Sequence, residues 1–126
     1  MAGAYTLAWD TAENRINFTL TGMWDADTMR RWDADYRAAV AKAPRDGWTV
    51  IGDMTGYPAQ SEEIQAGHER LIAHSAASGM AKAVLVVPKA VVAMQMKRLV
   101  NNAKASTVTY AASVDEAKKL LAALPA

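Results

Sequence analysis

Hydrophobic and polar residues alternate in two short segments close to the start of the chain. In residues 5–9 and again in residues 16–20, larger apolar side chains occupy every second position, which is the period of a strand that is buried on one face. The polar residues 10–14 between them form a short connection, so the pattern predicts an antiparallel hairpin. Thr21-Gly22 is predicted to end its second strand.

A period of three to four residues replaces this alternation in four later segments, which indicates amphipathic helices. The first covers residues 25–43, and the second follows Ser61, a good helix cap. The third covers residues 89–103, and the last begins at a capping box formed by Ser113 and Glu116. The apolar positions predicted to face the core are, in chain order, Met29, Trp32, Tyr36 and Val40; Ile64, Leu71 and Ile72; Val92, Met96, Leu99 and Ala103; and Leu120, Leu121 and Leu124.

Three further apolar segments are short and lack the helical period. Residues 48–53, 83–87 and 107–110 contain β-branched side chains, and the second of these segments is uninterrupted. The first two segments are typical of strands in the interior of a sheet, and residues 107–110 are predicted to form a short strand. We expect an α/β fold in which a mixed five-stranded sheet carries about four helices, all within one domain of residues 1–126.

Composition and charge narrow the classes of function. Of the 126 residues, 52% are hydrophobic and 21% are charged, which is the balance of a globular protein. The formal net charge is +1, so the overall charge gives no attraction to nucleic acid. The absence of cysteine excludes disulfides, thiolate metal sites and a cysteine nucleophile. Because no apolar run approaches the ~20 residues of a membrane span, we expect a soluble cytoplasmic protein without membrane insertion.

The element order and three local features resemble the STAS-like family, whose fold is shared by SpoIIAA-like anti-sigma-factor antagonists and Sec14-like proteins. The features are Thr21-Gly22 before the first helix, the strand of residues 48–53 that ends in Asp53, and the loop-to-helix step of residues 54–63. The resemblance covers nearly the whole chain. It implies a STAS (SpoIIAA-like) fold and a non-enzymatic regulatory or protein-interaction module of bacterial signalling.

The resemblance also implies a regulatory position at the start of the second helix. In the anti-sigma branch a serine or threonine there is phosphorylated by a partner kinase, and the spacing from Asp53 puts Ser61 or Glu62 at that position. The aspartate and glycine of the family's motif are missing, since Gln60 precedes Ser61 and Glu63 follows Glu62. Ser61 is therefore either a phosphoacceptor or an ordinary helix cap, and Glu62 would mimic a phosphorylated residue.

Asp53, Ser61 and His68 are the parts of a nucleophilic triad, but their spacing argues against one. Seven helical residues separate Ser61 from His68 by about 10 Å along the axis, too far for direct proton transfer. His68 and His74 point about 120° apart on a helix and cannot chelate one metal ion. We therefore predict no enzyme, metal site or cofactor, and both histidines at the surface. An enzyme would need Asp53 and His68 within hydrogen-bond reach, directly or through at most one water.

Two non-enzymatic functions remain. A protein-interaction module would use a surface around Asp53, Tyr57, Ser61 and Glu62, with Tyr57 and Trp24 exposed to the partner. Asp53 has a second interpretation, in which it closes the following loop through an Asx turn. A carrier of a small apolar or anionic ligand, the Sec14-like alternative, would enclose a cavity near several methionines. These methionines are Met54, Met80, Met94 and Met96.

Charge is distributed unevenly along the chain. Residues 1–69 hold 11 acidic and 6 basic side chains, whereas residues 70–114 hold 6 basic and no acidic ones. This asymmetry suggests a homodimer in which the two halves meet. The basic strip predicted on or beside the third helix consists of Lys89, Lys97, Arg98 and Lys104. It is either a contact for an acidic partner or phosphate-bearing ligand, or a solvated face.

Overall fold

A computed structural model describes residues 2–123 as five strands and four helices. Each predicted element is present, with boundaries within three residues of those expected. Leu124, predicted to lie on the last helix, is outside the described residues. The elements are β1 (Ala4–Asp10), β2 (Arg15–Thr21), α1 (Ala26–Ala41), β3 (Trp48–Asp53), α2 (Glu62–Ala77), β4 (Met80–Val86), α3 (Ala90–Asn102), β5 (Val108–Ala111) and α4 (Val114–Ala122).

The five strands form one mixed sheet in which the spatial order and the chain order coincide. β1 and β2 are antiparallel, as predicted for the hairpin, whereas β2, β3, β4 and β5 are parallel to one another. The predicted α/β class with a mixed five-stranded sheet is therefore confirmed.

Three helices cover one face of the sheet and the fourth helix covers the other. The crossovers through α1, α2 and α3 each step to the next strand in the same direction. Because such crossovers are right-handed, the three helices lie together on what we call the three-helix face. α4 follows the last strand and packs against β3, β4 and β5 on the opposite side, the α4 face.

Side-chain caps begin three of the four helices, which explains why their starts could be predicted. Asp25, Ser61 and Ser113 each accept a hydrogen bond from the backbone N–H three residues later, at 2.8, 3.4 and 3.2 Å. α3 follows Lys89 without a side-chain cap. Within residues 2–123, no helix is long and apolar enough to cross a membrane.

Gly52 shapes the three-helix face because it carries no side chain. A Cβ atom at this position would lie 2.3 Å from Cζ of Phe18 and 3.0 Å from Cδ2 of Leu85. The ring of Phe18 therefore lies over β3, in space that the side chain of any other residue would need. Phe18 and Leu85 both line a cavity between the sheet and the helices.

Candidate functional site

A cavity of about 60 Å³ lies between the sheet and the helices of the three-helix face. Aromatic rings, including those of Phe18 and Trp32, form part of its wall, and Met54, Met80 and Met96 form another part. Among the described residues, no lysine, arginine, aspartate or glutamate lines it. An ionic ligand would therefore find no opposite charge inside.

Met94 lies outside this cavity, which corrects one of the four predicted positions. Its side chain is 71% exposed. Met94 and Met96 are two positions apart on α3, and two helical steps rotate a side chain by about 200°. Met96 therefore points into the core while Met94 points into solvent.

His68 lines the cavity from α2 and is only 6% exposed, so the predicted surface position is wrong. Its Nε2 lies 2.7 Å from the hydroxyl oxygen of Tyr57, and the ring of Trp24 packs with its centre 5.4 Å from that of the imidazole. Burial lowers the pKa of His68 to about 4, because the charged form would lose its hydration. The imidazole is therefore neutral near pH 7.

Tyr57 and Trp24 are also buried, at 2% and 6% exposure, so the exposure predicted for an interaction surface is wrong. Tyr57 reaches from the loop after β3 to His68 on α2, and burial raises the pKa of its hydroxyl. Trp24 donates from Nε1 to the carbonyl oxygen of Thr21 at 3.0 Å. Its ring packs edge-on against that of Tyr57, with 5.5 Å between the ring centres. Both side chains belong to the core.

A pair of hydroxyl groups supplies further polar atoms in the cavity wall. Oγ of Ser75 lies 2.7 Å from Oη of Tyr36 and 2.9 Å from the carbonyl oxygen of Leu71. Burial raises the pKa of Tyr36 to about 12, so its hydroxyl stays protonated at physiological pH. The sequence reasoning did not select Ser75. The signal that could have found it is the spacing of His68, Leu71 and Ser75, which puts them on one stripe of α2.

Gln60 ties together the loops at the carboxyl ends of the parallel strands. Its Oε1 accepts from the N–H of Trp24 at 2.9 Å, and its Nε2 donates to the carbonyls of Gly22 and Pro58 at 3.0 and 3.1 Å. Gln95 of α3 bonds to the backbone of Gln60 at 3.1 and 3.3 Å. Ligands of open α/β sheets commonly bind at this edge, but here protein groups fill the space between the loops.

Asp53 lies at the end of β3, where its carboxylate closes an Asx turn. Oδ1 accepts from the N–H of Thr55 at 3.0 Å and from its hydroxyl at 2.6 Å, which confirms the second interpretation of this residue. His68 bonds through Nε2 to Tyr57, and the hydrogen bonds among the residues that the structure describes include none between Asp53 and His68. Ser61 and Glu62 are exposed at the start of α2.

The four residues of the predicted basic strip are exposed but have different surroundings. Lys97 lies over the ring of Tyr110 in β5, and its Nζ atom is 5.4 Å from the ring centre. Arg98 donates to Oε1 of Gln65 on α2. Lys89 precedes α3, about 12 Å along the axis from Lys97, and Lys104 follows the helix. Lys97 and Lys104 line one surface groove at the end of α3.

Comparison with protein-family models, with curated proteins and with solved structures finds no match to this chain. Among residues 2–123, no group of three histidine, aspartate or glutamate side chains is arranged to hold a metal ion. Function is therefore inferred from the cavity and from the groups that line it.

Proposed function

We propose that the protein binds a small, uncharged and mainly apolar molecule in the cavity of the three-helix face. The observation that carries this proposal is a space of about 60 Å³ walled by aromatic and methionine side chains, with no charged group among its lining residues. Native cores contain few voids larger than a water molecule, and an empty void destabilises the fold. A ligand that fills the space would recover those lost contacts.

The size of the cavity limits the class of ligand. Pockets for drug-sized molecules measure about 300–1,000 Å³, and an engineered cavity of about 150 Å³ takes benzene. The cavity of this protein therefore suits a molecule of a few non-hydrogen atoms. Met54, Met80 and Met96 add adaptability, because methionine side chains change shape easily. The Sec14-like resemblance supports a carrier function, but a membrane lipid is too large for this space.

Methionine-methyl NMR tests the proposal, because the chain carries its own controls. Xenon and furan, two small uncharged probes, should shift the methyl signals of Met54, Met80 and Met96 in a saturable manner. The methyl signals of Met23 and Met94 should stay in place, since both side chains are exposed and distant from the cavity wall. Absence of saturable shifts at the three lining methionines would refute the proposal.

A matched pair of variants shows where the probe binds. Ala83 lines the cavity, whereas Ala111 lies on the α4 face, and both are buried alanines in neighbouring strands. Ala83→Val should reduce furan affinity at least tenfold because the added methyl groups occupy the space. Ala111→Val should leave furan affinity unchanged. Equal loss in both variants would place the binding site elsewhere.

A regulatory module of the STAS-like type is the second candidate, and one observation favours it. Ser61 is exposed at the start of α2, and within residues 2–123 its hydroxyl makes a single, long cap bond of 3.4 Å. A phosphate there would meet the positive end of the helix dipole. Intact-mass measurement of the protein from its own host should then show one phosphate, which Ser61→Ala removes. An unmodified mass under all growth conditions would exclude this switch.

A homodimer remains a prediction from the uneven charge of the two halves. Part of the acidic charge of α1 is already paired within the chain, since Asp27 and Asp33 bond to arginines of the same helix. Light scattering at micromolar concentration measures the molar mass in solution and so distinguishes a monomer from a dimer. A dimer that dissociates in high salt would support pairing of the halves.

A further inference from the structure

The hydrogen bonds of Ser75 fix which hydroxyl donates inside the cavity. A carbonyl oxygen only accepts, so the single hydrogen of the Ser75 hydroxyl goes to the carbonyl of Leu71 at 2.9 Å. The contact of 2.7 Å between Ser75 Oγ and Tyr36 Oη then needs the hydrogen of Tyr36. Tyr36 therefore donates to Ser75, and Ser75 donates to Leu71.

This order leaves Tyr36 with an unused capacity to accept. A phenolic oxygen can accept a hydrogen bond while it donates one, and the hydrogen bonds among residues 2–123 include no donor to Tyr36 Oη. Tyr36 lines the cavity and is buried. Nε2 of His68, the imidazole atom nearest to Tyr57, is already bonded to that hydroxyl. The cavity wall thus includes an oxygen atom, Tyr36 Oη, that can accept one more hydrogen bond.

We infer that the ligand is an uncharged small molecule that carries one N–H or O–H donor, and that this group donates to Tyr36 Oη. The inference rests on the proposed function and names the chemistry of its ligand. A ligand that only accepts would meet the oxygen of Tyr36, whose hydrogen is already engaged. A charged ligand would be buried without a counter-charge, which is strongly unfavourable.

Pyrrole and furan form the first test, because they are five-membered rings of similar shape. Pyrrole offers an N–H donor, whereas furan offers a weak acceptor and no donor. Pyrrole should bind about fivefold to tenfold more tightly than furan, as one added hydrogen bond in a dry site allows. Titration followed at the methyl groups of Met54, Met80 and Met96 gives both affinities.

Two variants test whether the preference for pyrrole depends on the order of these hydrogen bonds or on general packing. Ser75→Ala removes the acceptor for Tyr36, which frees the hydroxyl of Tyr36 to donate into the cavity. Pyrrole can still donate to Tyr36 Oη, but its preference over furan should fall because furan can now accept from Tyr36, and tetrahydrofuran, a stronger acceptor, should gain affinity. The double variant Tyr36→Phe/Ser75→Ala removes both oxygens and should bind pyrrole and furan equally. Thermal unfolding confirms that each variant is folded at the titration temperature.

The outcomes distinguish this inference from the proposed function. One outcome is that furan and pyrrole bind at the lining methionines with equal affinity. In that case the cavity binds apolar molecules without recognising a hydrogen-bond donor, and the inference is wrong. If the pyrrole preference survives in the double variant, it comes from another group and the inference is also wrong. If neither probe nor xenon binds there, the proposed function and the inference fail together.

Discussion

The two faces of the sheet are packed with different kinds of side chain. The three-helix face buries large aromatic rings, among them Phe18, Trp32 and Tyr36, together with methionines. The α4 face buries a small aliphatic cluster without rings or sulfur. The buried members of that cluster are Ile51, Val84, Val86, Ala111, Ala117 and Leu121.

This difference shows how a fold can keep an internal space on one side of a sheet only. The rings of Phe18 and Trp32 meet edge to face, with 5.1 Å between their centres and 66° between their planes. Rigid rings packed in this way leave packing gaps that other side chains must fill. Methionine side chains can fill such packing gaps in several conformations. On the other face, small aliphatic side chains allow α4 to approach the sheet closely.

Truncation of one leucine on each face should show the largest difference between the faces in the free energy of unfolding. Leu71 lines the cavity and Leu121 packs under α4, and both are buried. Leu71→Ala should lower the free energy of unfolding by about 4 kcal/mol because the new void joins an existing one, and Leu121→Ala by about 2 kcal/mol. Urea denaturation at pH 7 measures both. A larger loss for Leu121→Ala would contradict the contrast.

Protonation of His68 should destabilise the three-helix face by a smaller amount. The unfolded chain has a histidine pKa near 6.5 and the folded state one of about 4, so between these values only the unfolded state takes up this proton. Stability is therefore full above pH 6.5 and falls as the pH is lowered towards 4, by about 3 kcal/mol in total. Urea denaturation across this range measures the slope.

A control isolates the titration of His68 from that of the carboxylates. His68→Gln keeps a hydrogen-bonding side chain but removes the titrating group, so its stability should fall less steeply with pH than that of the wild type. Equal slopes in the wild type and in His68→Gln would show that the burial of His68 has no thermodynamic effect.

A methyl group added at Gly52 tests how the ring of Phe18 is accommodated. Gly52→Ala should lower the free energy of unfolding by about 2 kcal/mol, since the new Cβ atom would overlap the ring. Gly56→Ala is the matched control, because its Cβ atom would meet only the side chain of Thr21, at 3.0 Å from Cγ2. Its effect should stay within about 0.5 kcal/mol. Similar losses in both variants would show that Phe18 moves freely.

Side-chain volume added on the two faces should change the free energy of unfolding in opposite directions, although each change is small. Ala83→Val partly fills the cavity and should raise the free energy of unfolding by about 1 kcal/mol. Ala111→Val adds the same groups under α4, where space is already filled, and should lower it by about 1 kcal/mol. Thermal unfolding by calorimetry resolves the difference. The same sign on both faces would show that the cavity is not available for added methyl groups.

The elements of the fold could be predicted because each has a local cause. Ser61 and Ser113 cap their helices, and both β2 and α1 show the periodicity that their burial requires. The common face of α1, α2 and α3 follows from the handedness of crossovers once the strand order is known. The strand order itself depends on contacts between distant residues, which no local pattern in the sequence reports.

The candidate site could be predicted less well because long-range packing decides it. α2 lies between α1 and α3, so it buries a wider face than the stripe of Ile64 and Leu71 indicates. His68 and Ser75 are buried for this reason. Tyr57 lies in the loop between β3 and α2, and only the folded chain shows that its ring packs against α2. No local pattern reports such a contact.

The coincidence of chain order and sheet order has a consequence for synthesis on the ribosome. Every strand after the first pairs with the strand made just before it. A growing chain can therefore add each new strand to an edge that already exists, without waiting for a later segment. The helices of the three-helix face emerge before α4, so we expect this face to be largely assembled when α4 leaves the exit tunnel.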